Sequence, residues 1–250
     1  MFKRLLLALA SALAVLALLA PGATANHSWG NYHWARTSNP FTVQLGDNVS
    51  VSWDSLLARA SSDWSRSNVL DTVVVPGQAR GKCRPTAGRV EVCNGNYGFN
   101  GWLGLAQIWI SGSHITQGTT KMNDSYLNSG YTTTNKQHVI CQEIGHTFGL
   151  DHQDESGADL NTCMDYSDNL DNPSPNQHDY DQLASIYSHL DSTMTLASTT
   201  TVGAAGSEHA SPVAVERSDR IASSTITERF ADGTSRVTHI LWAIGGKGRP

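Results

Sequence analysis

The residues best able to do chemistry fall in one stretch, Gln142, Glu143, His146, Gly149 and His152. Positions four apart share a helix face, so the side chains of Gln142 and His146 can reach one ion. Glu143 projects beside them, where it can hold a water molecule. Gly149 lets the chain leave the helix, and His152 can then return to complete a three-donor site. Such a set is equipped for metal-assisted hydrolysis, with the carboxylate as proton acceptor.

A helix over 135–150 has to carry these groups. Thr134 or Asn135 can cap it, Val139, Ile140, Ile144 and Phe148 give it apolar surface, and Gly149 can end it. Upstream, 41–43 and 49–53 alternate like strands, and Asp54 can cap a helix running to Ser65. The β-branched stretch 69–75 predicts a strand stopped by Pro76 and Gly77, and 89–93 a shorter one. Segments 103–110 and 115–122 predict a strand pair around Ser111-Gly112-Ser113. A second late helix is expected over 177–189, after Pro173 and Pro175. This order of elements indicates the α+β class or a mixed sheet.

The net charge of −5 is spread along the chain, which argues against a nucleic-acid partner or a membrane-binding patch. Residues 1–25 read as a secretory signal: Lys3 and Arg4, an apolar run over 5–19, and Ala23-Thr24-Ala25 as a cleavage site. The rest divides into a main domain over 26–192, a Thr/Ala/Ser/Gly-rich linker over 193–212, and a tail over 213–250. In the tail, Asp232-Gly233 marks a β-hairpin and no catalytic signature is visible, which leaves a small β appendage or a strand pair packed on the main domain. Four cysteines in an exported chain suggest two disulfides, with Cys83–Cys93 closing a short loop.

The run 142–152 resembles the metzincin metalloproteases, matrixins being the nearest comparison, through the pattern H-E-x-x-H-x-x-G-x-x-H. Glu143, His146, Gly149 and His152 match it, and Gln142 stands where the pattern has histidine. Asn161 to Tyr166 is similar to the metzincin Met-turn, which implies Met164 beneath the metal site and Tyr166 near the oxyanion. The resemblance implies a twisted mixed sheet, two main helices, an active-site helix followed by the Met-turn, and here a small C-terminal β appendage. It further implies zinc held by Gln142, His146 and His152, with Glu143 as general base. A Cys141–Cys163 disulfide would follow, tying the Met-turn to the helix.

Gln142 leaves three readings open. It is a weak oxygen donor, or another group takes its place, or the site is metal-poor, since zinc prefers nitrogen and sulfur. His138 is the obvious substitute but lies roughly 12 Å from His146 along a straight helix. An edge strand at 103–110 would receive extended substrate by β-augmentation, unless that strand is interior. The Asp/Asn-rich stretch 151–171 could take calcium or be a solvated acidic loop. His27 and His33 read as surface histidines. The functional expectation is a secreted, monomeric zinc endopeptidase acting on protein or peptide. Its alternative is a peptide-binding module on the same fold that no longer cleaves.

Overall fold

A computed structural model of the chain describes residues 27–78, 83–154, 156–197 and 211–245. The signal read at 1–25 and most of the linker read at 193–212 lie outside them. The class is mixed α+β. The strands are β1 His33–Trp34, β2 Phe41–Asn48, β3 Leu70–Pro76, β4 Val90–Gly95, β5 Trp102–Ser111, β6 His114–Asn123, β7 Ala214–Asp219, β8 Ser223–Arg229 and β9 Thr234–Trp242. The helices are α1 Asp54–Trp64, α2 Asp124–Leu127, α3 Thr133–His146 and α4 Gln177–Ile186.

All strands join one mixed sheet in the order β3-β2-β4-β6-β5-β9-β8-β7, with β1 paired to the start of β6. Pairing is parallel from β3 to β6 and antiparallel from β6 to β7. Helices α1 and α3 pack on each other, α1 also against β3 and α3 against β5 and β6. Between them lies a core that includes Trp34, Trp53, Trp64, Leu57, Val90, Val92, Ile140, Ile144 and Phe148.

Two expectations change. Segment 49–53 is not a strand. Val51 is 87% exposed, and Val51–Trp53 winds into a 3₁₀ turn leading into α1. The small appendage gives way to the other reading of the tail, a strand pair packed on the main domain. The hairpin turns at Gly233 and β9 pairs with β5 from Trp102 to Ser111. Val237, Leu241 and Ala243 enter the main core. Strand β5 is therefore interior, and the sheet edges are β3 and β7. Both expected disulfides, Cys83–Cys93 and Cys141–Cys163, are present. No helix among the described residues is long and apolar enough to cross a membrane.

Candidate metal centre

Helix α3 begins two residues earlier than its sequence suggests. Thr132 caps it, its hydroxyl accepting from the Asn135 amide at 3.2 Å while Asn135 Oδ1 accepts from the Thr132 amide at 2.9 Å. Regular helix ends at His146, and the chain then turns through Gly149 at φ +89°. A side chain at Gly149 would sit 2.2 Å from the Tyr32 carbonyl oxygen, so both conformation and space demand glycine. The turn carries His152 back beside the helix. The His146 and His152 rings meet edge to face, their centroids 4.9 Å apart.

The third imidazole comes from the tail. His239 on β9 lies with its ring centroid 4.0 Å from that of His146 and 4.9 Å from that of His152. One ligand atom from each of the three rings lies within 4.8 Å of the others. His146 Nδ1 donates to the Leu150 carbonyl at 2.9 Å, and His239 Nδ1 faces Glu143 Oε2 at 3.3 Å. The first contact leaves His146 Nε2 as the lone-pair nitrogen of a neutral ring, and the second does the same for His239 when Glu143 is a carboxylate. The Nε2 atoms of His146, His152 and His239 are all buried without a hydrogen-bond partner. Three orphaned imidazole nitrogens in one interior space fit a nitrogen-preferring divalent ion such as zinc.

Burial sets the protonation states. It lowers His146 and His239 to about 3, keeping both rings neutral as ligands must be. Burial also pushes the Glu143 carboxyl up to about 8, opposed by His146. A cation in the site would favour the carboxylate. Glu143 Oε1 has no partner and rests against Gly104, where a Cβ would lie 2.3 Å from it. Trp29 stacks on His146 at 4.9 Å and covers one side.

Gln142 is buried, and its Nε2 donates to the carbonyls of Cys163 at 2.9 Å and Asp165 at 3.2 Å. Its Oε1 has no partner. Met164 lies under the helix, since a Cβ on Gly145 would meet Met164 Sδ at 2.5 Å. The Tyr166 ring packs 5.0 Å from His152. Its hydroxyl oxygen accepts from the Ala222 and Ser223 amides of the tail, at 3.2 and 3.4 Å. His138 is fully buried, and His27 and His33, expected at the surface, are buried too. In the acidic loop, Asp159 and Asp165 both accept from Asn172.

His239 lies outside the 142–152 pattern that points to the other two histidines. A signal did exist. Alternation along β9 places Val237, His239 and Leu241 on one face, so a histidine interrupts an otherwise apolar inward row.

No family model matches the chain, and no curated protein matches it. Among solved structures it is similar to one titled "Structure of myroilysin", at 13% identity and a TM-score of 0.39, over 66% of this chain and 99% of that one. A likeness at that distance carries no functional argument.

Proposed function

We propose that this chain is a zinc-dependent endopeptidase seen in a closed arrangement, with His146, His152 and His239 as the zinc donors. The observation that supports it is the meeting of three unpartnered imidazole nitrogens beside Glu143 in the interior. A zinc ion held there would act as a Lewis acid toward a water and a peptide carbonyl. Glu143 would accept the water's proton and pass it to the leaving amine, and its unengaged Oε1 is free for that transfer. Tyr166 could stabilise the oxyanion only after its hydroxyl is released from the Ala222 and Ser223 amides. The substrate would be protein or peptide and the chain a monomer. The two disulfides and the leader read at 1–25 support an extracellular setting.

The test is zinc content together with peptide cleavage. Glu143→Gln should keep zinc and lose cleavage. His239→Ala should lose zinc from this centre, and Gln142→His in that background should regain it. Cleavage that survives Glu143→Gln, or zinc held equally well without His239, refutes the reading.

One observation favours the alternative, a binding module that does not cleave. Strand β9 fills the side of β5 that an extended peptide would need, and Glu143, His146 and His239 have no exposure at all. A zinc-loaded, folded chain that cleaves no peptide, even after the tail is nicked, would decide for it.

A further inference from the structure

A second histidine cluster lies at the rim of the molecule, away from the residues of the proposed peptidase centre. It gathers His33 of β1, His114 at the start of β6, and His189 and Asp191 from the segment after α4. His33 and His114 are register partners of the parallel β1–β6 pair, so the sheet itself sets them side by side. Asp191 Oδ1 lies 3.4 Å from His33 Nε2, 3.3 Å from His114 Nε2 and 3.7 Å from His189 Nε2. His33 Nε2 lies 3.2 Å from His189 Nε2. The His114 and His189 rings each stand nearly perpendicular to the His33 ring, at 86° and 85°.

Three of these four spacings match a tetrahedron's edges; the donor atoms of His33, His114 and Asp191 all lie within 4.8 Å of one another, and His189 adjoins that trio through His33 and Asp191. With zinc–nitrogen bonds of roughly 2.0–2.1 Å, neighbouring donors in a tetrahedral site sit roughly 3.3–3.4 Å apart. The outer contacts prepare the donors in the same sense. His33 Nδ1 donates to the Asn31 carbonyl at 2.7 Å, which turns its Nε2 lone pair toward the cluster. Asp191 Oδ2 is engaged by Arg36, through Nη1 at 2.8 Å and the main-chain amide at 3.2 Å, which leaves Oδ1 facing the imidazoles. Asp191 Oδ1 and the facing imidazole nitrogens are donor atoms that one divalent cation would engage together. A cleft of about 440 Å³, lined by all four residues, gives an ion access from solvent.

We propose that His33, His114, His189 and Asp191 form a second divalent transition-metal site, with zinc the best-fitting ion and a structural role. Four protein donors leave no open position for substrate, as in structural zinc sites. The ion would staple the first strand, the β5–β6 hairpin and the segment after α4.

The test uses the full chain, stripped with chelator and titrated with zinc. Two equivalents should bind, and His114→Ala and His189→Ala should each bind one fewer. Both side chains are partly exposed, at 34% and 50%, so folding should survive their loss. A gain-of-signal variant guards against any misfolding. His189→Cys loaded with cobalt(II) should acquire a thiolate-to-cobalt charge-transfer band that the parent lacks. Unchanged zinc stoichiometry in folded His114→Ala and His189→Ala, or no such band in His189→Cys, overturns the proposal.

Discussion

Two groups of three histidines sit in this fold under different conditions. The interior group, His146, His152 and His239, is almost wholly removed from solvent, and its carboxylate, Glu143, stands beside the rings rather than among them. The rim group joins a buried ring, His33, to two solvent-accessible ones, His114 and His189, and has its carboxylate inserted between the rings. Placement of the acid separates the two roles. An acid beside three nitrogen donors leaves a coordination position open and a base at hand, which suits hydrolysis. An acid among them closes the shell, which suits structure. Arg36 reinforces the second case by occupying the other oxygen of Asp191.

The contrast breaks most sharply at the acids. Glu143→Gln should lower peptide cleavage on the order of a thousandfold, in the range for loss of a general base, with both zinc equivalents retained. Steady-state kinetics and metal analysis on one preparation check this. Loss of zinc along with activity would mean that Glu143 acts as a ligand, and the two groups would no longer differ in kind.

Next in size is His239→Ala. Removal of one of three donors should weaken zinc at the interior centre by more than the 10–100-fold typical of losing an outer-shell partner. The rim equivalent should titrate as before. Isothermal titration of the stripped protein separates the two sites. A fall at both would show that the tail strand supports the whole molecule rather than one centre.

A smaller effect, about tenfold or more in rate, is expected under chelator. Two rim donors, His114 and His189, are accessible to solvent, whereas release of the interior ion requires local opening of β9 from β5. Zinc should leave in two phases, the first lowering thermal stability and the second ending cleavage. A single phase would place both ions behind one barrier.

The unequal legibility of the two groups has a physical cause. The helix and the turn at Gly149 are local structures, so spacing within 142–152 was enough to bring His146 and His152 together. The place of Met164 under the helix and the Cys141–Cys163 pairing followed from that local match. His239 reaches the same place only because β9 pairs with β5 from more than a hundred residues away, and pairing between distant strands leaves no periodic mark. The rim group has the same character, drawing on three separate segments. Gln142 is a second hint beside the histidine in the apolar row of β9, since a missing donor in a matched pattern implies a donor from elsewhere. The mixed sheet and helices α1, α3 and α4 were readable from alternation and helical spacing, while the 3₁₀ turn at Val51–Trp53 was not, because exposed Val51 continues a strand-like alternation.

The mildest prediction concerns a buried histidine that belongs to neither group. His138 sits in α3 with no exposure, and burial lowers it from the ordinary 6.5 to about 4. Between those values the unfolded chain takes up a proton that the folded chain refuses, so stability increases with pH across this window. Its contribution is complete above pH 6.5 and is lost as pH falls toward 4. The slope from one such group is at most about 1.4 kcal/mol per pH unit. His138→Leu should flatten that part of the stability profile, as read by urea denaturation at a series of pH values, and leave both zinc equivalents unchanged. An equally steep profile in the variant would assign the acid sensitivity to the clustered histidines, which then would not be shielded by metal.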